Sequence, residues 1–407
     1  LSYYLAQDEY QIDRIPFSFG NMIDGQSAFI FNLDTLFKVN VSVDEVVHVL
    51  FHERFHMFQM NNFPAAIWGW KKTDGFNKIE NVKLTVLEDS ALMRYLETRN
   101  AEHLKNYLAI SSYRKTLNDP DSYDYEMKKE NIEGTADYYG WKMAINNLDF
   151  RVKAMIENYK KQCTPDRIIN CLIQHRYYFT GNVGAIALDQ LDNQWKEKLV
   201  QKSQFIRNQL FDHFPMGLAE ITQRVTLAKK EYHYNEISKP VAQAIQSYVA
   251  SRDKVLKQWN AMDGIPFVIA RRPCNLYGVI PYRERYYLNS DTWLQIDYNG
   301  PSQCADGSIV VNYTHMPLMQ ETEHNAEIVV KIPRDSVIEI NHAAFSAIEL
   351  LAHDKNYSFK DFYLKTPTIE IAVKNRAGEL KIIDGKMELV TDNEIHFLNR
   401  KKSDFYG

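Results

Sequence analysis

Ser42-Val43-Asp44-Glu45-Val46-Val47-His48-Val49-Leu50-Phe51-His52-Glu53-Arg54-Phe55-His56-Met57-Phe58-Gln59-Met60-Asn61-Asn62-Phe63-Pro64 is punctuated as a helix at both ends. Ser42 followed three residues later by Glu45 is a capping box, in which each side chain satisfies the other's free backbone N–H. Asn61-Asn62-Phe63-Pro64 stops the helix. Between them Val46, Val47, Val49, Leu50, Phe51, Phe55 and Phe58 supply an apolar surround, which predicts a buried helix. Inside it lies His52-Glu53-Arg54-Phe55-His56, an H-E-x-x-H. Residues four apart share a helical face, so both imidazoles can reach one ion. Two buried histidines and a glutamate need partners, and a metal would provide them.

Zinc lowers the pKa of a bound water from about 15.7 toward about 7, and Glu53 is placed to take that water's proton. A two-histidine site needs a third protein ligand, with one position left for water. The best source is Tyr125–Tyr138, where Glu126, Glu130, Glu133 and Asp137 line one helical face. Such a stripe is usually solvated. Here Gly134, Thr135 and Ala136 are small enough to admit another helix, expected to be that of His52. Spacing alone does not choose among the carboxylates. Glu88 and Asp89 are a second source. His48 lies two turns from His56, about 12 Å along the axis, and is expected as a core or supporting residue. Gln59 follows on the same face and is expected to line a cleft.

His52–His56 followed by Glu133-Gly134-Thr135-Ala136-Asp137-Tyr138 resembles the gluzincin group of metallopeptidases. The resemblance implies a zincin-like catalytic domain that cleaves a peptide or protein substrate with one Zn²⁺ per chain. It implies His52, His56 and Glu133 as the metal ligands and Glu53 as the general base. It also implies Asp137 as the carboxylate that orients a zinc-bound imidazole. The best-known gluzincins place the ligand glutamate much nearer the histidines, so helices expected over about 78–116 read as an insertion. The resemblance covers about residues 42–147.

His175-Arg176-Tyr177-Tyr178-Phe179-Thr180-Gly181 leads a segment that, through Leu188-Asp189-Gln190-Leu191 and Trp195-Lys196, faintly resembles a late helix of other H-E-x-x-H peptidases. Amide hydrolysis builds charge on an oxyanion, which His175, Tyr177 or Tyr178 could stabilise by hydrogen bonding. Aromatic core packing explains the same residues. Trp68 and Trp70 follow the motif helix, but aromatic residues are also ordinary core material. Two other classes stay open: a zincin scaffold that binds without turnover, and a metal-free helical interaction protein. An intact Glu53 argues against the first, because only turnover requires it.

A net charge of -4 over 407 residues gives no basic footprint for nucleic acid. No apolar run reaches the length of a transmembrane helix. Cys163, Cys171, Cys274 and Cys304 form no C-x-x-C pair, so a cysteine zinc site is not expected. They fit either free thiols or two disulfides, Cys163–Cys171 and Cys274–Cys304, and the pairing favours a secreted or periplasmic setting over the cytoplasm. The chain starts at Leu1 rather than Met, as after loss of a leader or trimming.

The texture changes near residue 263. Before it, helical periodicity runs over roughly 43–60, 78–98, 100–116, 122–147, 150–162, 166–199, 202–212 and 217–258. Ser27–Leu33 reads as an edge strand. After it, Glu327–Ile332, Ser336–Ile340 and Ile369–Val373 read as strands, Leu380–Ile383 and Met387–Val390 as a hairpin about Asp384-Gly385, and about 342–353 as a helix. The expected fold is α+β and multidomain: an α-helical, zincin-like domain over 1–262 and a β-rich, sandwich-like domain over 263–407.

Overall fold

The protein is described here by a computed structural model covering residues 18–23, 26–31, 42–64, 78–118, 120–164, 167–270, 284–288, 292–303, 308–322, 327–352 and 355–391. It forms two compact units, Leu1–Val249 and Ala250–Gly407. The first is helical and the second is a mixed sheet, an α+β layout. Their boundary falls inside a helix that runs unbroken from Tyr234 to Ala261, and the first strand of the second unit starts at Ile265.

The helical unit opens with a two-stranded antiparallel pair, β1 (Ser18–Ile23) and β2 (Gln26–Phe31). Helices α1 (Val43–Asn62), α2 (Ile79–Thr98) and α3 (Ala101–Leu117) follow. The capping box of α1 is formed: Glu45 N–H donates to Ser42 Oγ at 3.2 Å, and Ser42 N–H donates to Glu45 Oε2 at 2.8 Å. The histidines of α1 are buried as expected, but the helix as a whole is not, since the apolar residues around them are half-buried or exposed. Its buried residues are His48, His52, His56 and Gln59, while Val43, Leu50, Phe58 and Met60 are exposed. A polar stripe can be buried only if partners meet it, and these come from the next segment.

The helix expected over 122–147 is three pieces: α4 (Pro120–Lys129), a π-helical turn π1 (Glu130–Gly134) and α5 (Thr135–Ala144). After α6 (Leu148–Gln162) and the turn Ile168–Asn170 comes a second π turn, π2 (Cys171–His175), which leads into α7 (Arg176–Leu191). Then come α8 (Trp195–Lys202), α9 (Ile206–His213), α10 (Leu218–Glu231) and α11 (Tyr234–Ala261). The expected helix over 217–258 breaks at His233, whose φ is 52°, a left-handed conformation that stops an α-helix. Cys163 and Cys171 are disulfide-bonded, closing the loop before π2. Cys274, Cys304, Trp68 and Trp70 lie outside the described residues.

Leu84, Leu87, Leu92, Leu108, Val183 and Leu188 are fully buried in the core of this unit. A charged layer runs beside them. Arg114 pairs with Glu88 and Glu126, Arg176 with Glu88 and Asp89, and Arg207 with Glu130. All three arginines are about 1% exposed, and burial at that depth is tolerable only because each guanidinium is paired.

In the second unit, strands β3 (Ile265–Ala270), β4 (Glu284–Tyr287), β5 (Thr292–Gln303), β6 (Ile309–Thr322), β7 (Glu327–Ile332), β8 (Val337–Ile340) and β9 (Ala343–Ser346) precede the short helix α12 (Ala347–Leu351). Strands β10 (Tyr357–Phe359), β11 (Phe362–Lys365), β12 (Ile369–Val373), β13 (Gly378–Ile383) and β14 (Lys386–Thr391) complete it. Where a sandwich was expected, all twelve strands join in one sheet, ordered β10-β13-β14-β3-β7-β6-β12-β11-β8-β9, with β5 on β6 and β4 on β5. The cause is the length of β6. Ile309–Tyr313 pairs with β12 and Gln320–Thr322 pairs with β7, so one strand serves both halves. Among the described residues only β14 and β3 run parallel. Phe267, Val311, Val330, Leu364, Ile371 and Leu380 are fully buried in its core. The Asp384-Gly385 hairpin is formed, with φ of 49° and 72°, as a type I′ turn requires. The helix expected over 342–353 is instead β9 and the five-residue α12.

Candidate metal centre

The i, i+4, i+8 spacing of His48, His52 and His56 stacks three imidazoles along α1, and α5 lies against that stripe. Gly140 permits the approach, since a Cβ there would stand 2.6 Å from the carbonyl oxygen of His48. Gly134, expected to do this, instead faces Gly181 of α7, 2.4 Å from where its own Cβ would be.

His52 Nε2, His56 Nε2 and Glu133 Oε2 converge. The two nitrogens are 3.0 Å apart, and the carboxylate oxygen is 3.6 Å from His52 and 3.4 Å from His56. All three residues are buried. Burial by itself would lower the His56 pKa, yet hydrogen bonding to Glu133 and the charges of Glu133 and Glu53 hold it raised. Burial would likewise raise the Glu133 pKa, but His52, His56 and Lys129 hold it well below the usual carboxylate range. The cluster therefore favours positive charge at its centre.

Four acidic residues shared a helical face in the sequence, and the fold separates them. Of these, Glu126 and Glu130 are committed to buried arginines, as are Glu88 and Asp89 of α2. Thr180 Oγ1 also donates to Glu130 Oε1 at 2.7 Å. The π turn lets Glu130 face Arg207 while Glu133 faces the histidines, and single π turns recur at functional sites. Glu133 Oε1 meets Lys129 Nζ at 3.3 Å, which leaves Oε2 for the cluster.

Asp137 bonds His48 Nε2 at 2.8 Å, not a ring of the cluster, and its other oxygen accepts from Asn182 Nδ2 at 2.7 Å. The His48 ring stacks on Trp141, centroids 4.2 Å apart. Two sets among the described residues could hold a metal, His48–His52–Asp137 and His52–His56–Glu133. In the first, one proton on His48 satisfies both partners. In the second, with both rings neutral, too few protons lie between the three atoms, and lone pairs face one another. A cation removes that repulsion. Donors held at about 2.0–2.1 Å from a tetrahedral zinc stand about 3.3–3.4 Å apart, close to the 3.0, 3.4 and 3.6 Å found here. Two imidazoles and one carboxylate also suit that ion.

Tyr178 lies parallel to the His52 ring, with centroids 5.2 Å and planes 8° apart. His175 is the next ring along, 6.2 Å from Tyr178, and burial lowers its pKa with help from Arg167. Tyr177 points elsewhere. It is buried edge-on to Tyr125, and burial beside Glu126 pushes its hydroxyl pKa well up. Glu53 is half-buried. Sequence reasoning missed Lys129, although it stands one helical turn before Glu133, and Asn182, for which no local signal exists.

No protein-family model, curated protein or solved structure matches this chain. Among the described residues no helix is long and apolar enough to cross a membrane.

Proposed function

We propose that this chain is a zinc-dependent peptidase of the gluzincin kind, its helical unit a zincin-like catalytic domain. The observation that supports the reading best is the buried convergence of His52 Nε2, His56 Nε2 and Glu133 Oε2 within 3.6 Å. Bound there, zinc would supply Lewis acidity, polarising a carbonyl and making hydroxide available near neutral pH. Glu53, adjacent to His52 and near enough to influence His56, takes the proton of the attacking water and passes it to the leaving amine. Tyr178, on the His52 ring, donates its hydroxyl to the oxyanion. Peptide as the substrate follows from the resemblance of the motif. The Cys163–Cys171 bond supports an oxidising, secreted or periplasmic setting.

The test pairs metal content with turnover. Native mass spectrometry should find one zinc per chain in the wild type and in Glu53→Gln. A peptide-library digestion should show activity in the first and a loss of about 10²–10⁴-fold in the second. Wild-type protein without metal, or a Glu53→Gln variant that cleaves at the wild-type rate, would refute the reading.

A further inference from the structure

Gln59 is fully buried, and it bridges the two elements that carry the cluster. Its amide nitrogen donates to Ile132 O at 2.8 Å and to Thr135 Oγ1 at 2.8 Å. Its Oε1 lies 2.6 Å from His56 Nδ1. A backbone carbonyl can only accept, so the amide nitrogen must face Ile132. Thr135 spends its own hydroxyl proton on Asn131 O, so its oxygen is free to accept the second amide proton. Both amide protons are then used, and the amide oxygen is left facing His56. That oxygen can only accept, so Nδ1 must carry the proton. A neutral His56 with its proton on Nδ1 presents the lone pair of Nε2 toward Glu133 and His52.

His52 has no such lock. Its Nδ1 is buried with no hydrogen-bond partner among the described residues.

We propose that Gln59 is the positioning residue of the metal centre. It imposes the Nδ1–H tautomer on His56 and ties that ring to π1, the turn from which Glu133 projects. The carbonyl of Ile132 and the hydroxyl of Thr135 flank Glu133 on either side in sequence, so one side chain registers a histidine ligand against the carboxylate ligand. This inference rests on the metal reading above for its consequence, but the tautomer itself does not depend on a metal.

The test uses full-length protein and three readouts: zinc affinity by chelator competition, the His56 ring tautomer by ¹⁵N NMR, and thermal stability. Gln59→Met cannot accept from Nδ1–H. It should weaken zinc binding about 10–100-fold, as loss of a ligand's supporting hydrogen bond does. Gln59→Glu still accepts at Nδ1 and should keep zinc affinity within about threefold of wild type, even where its melting temperature falls. A purely structural role predicts otherwise: zinc affinity would follow melting temperature in both variants, or change in neither, and either result overturns the proposal. In metal-free wild type above the pH at which His56 titrates, Nδ1 should show the protonated signature. An Nε2–H tautomer there overturns the proposal, and that readout still decides if Gln59→Met fails to fold. Absence of zinc binding in wild type would refute the metal reading and leave the tautomer result to judge Gln59.

Discussion

Gly134 and Gly181 meet backbone to backbone. A Cβ on Gly134 would stand 2.4 Å from the Cα of Gly181, and one on Gly181 would stand 2.3 Å from the carbonyl oxygen of Glu130. Neither obstacle is a side chain that can swing away. The contact brings α7, which carries Tyr178, against π1, which carries Glu133. Replacing either glycine by alanine should therefore push two elements of the centre apart. Gly134→Ala and Gly181→Ala are each expected to cost about 1–3 kcal/mol and to loosen zinc binding. Thermal melts at wild-type temperature for both variants would show that the helices are not as close as described.

The acidic residues should divide sharply on substitution. Glu133→Ala is expected to fold and to lose zinc, as are His52→Ala and His56→Ala. Glu130→Ala takes from buried Arg207 its close carboxylate partner and should cost about 3–5 kcal/mol. Glu88→Ala and Glu126→Ala leave Arg114 one carboxylate and Arg176 its bond to Asp89 and should cost less, with metal retained by whatever fraction folds in all three. Asp137→Asn weakens the bond to His48 and should lower stability before it touches metal content. Zinc analysis beside each melt checks the ranking. Stoichiometric zinc in Glu133→Ala would mean that another group is the ligand.

Asp189 gives the molecule an acid-sensitive contact. Burial would raise its pKa, but hydrogen bonds from Tyr138, Trp195 and Lys196 outweigh that and hold it at about 2, below the value of about 3.9 for an unfolded aspartate. A carboxyl with a depressed folded-state pKa stabilises fully above its unfolded value, and the contribution fades as pH falls toward the folded value. The stability gap between wild type and Asp189→Asn should thus be full above pH about 4 and shrink toward pH 2. Urea unfolding at several pH values measures it. A gap independent of pH would mean that Asp189 is not held ionised by these donors.

Local chemistry in the sequence determined much of this protein. Ser42 and Glu45 cap α1, the spacing of His52 and His56 puts them on one face, and Asp384-Gly385 turns a hairpin. Each is a matter of neighbours within four residues, where backbone geometry alone dictates who meets whom. The change from helical to strand texture near residue 263 is legible for the same reason.

Only the tertiary structure decided that α1 is buried on its histidine stripe alone and which carboxylate meets those histidines. Helical periodicity marks a stripe but does not say what packs on it. The apolar residues of α1 suggested a helix buried all round, whereas only the histidine stripe is buried, because it is met by Glu133, Asp137 and the backbone of π1, all more than seventy residues away. Regular spacing placed Glu126, Glu130, Glu133 and Asp137 on one face. The π turn sorted them with the help of Arg114 for Glu126, Arg207 for Glu130, and His48 and Asn182 for Asp137, which left Glu133 to the cluster. The β-rich unit shows the same limit. Its strands were readable one by one, but the fusion of the expected layers into one sheet depends on which neighbours β6 pairs with along its length, a choice made by long-range hydrogen bonding.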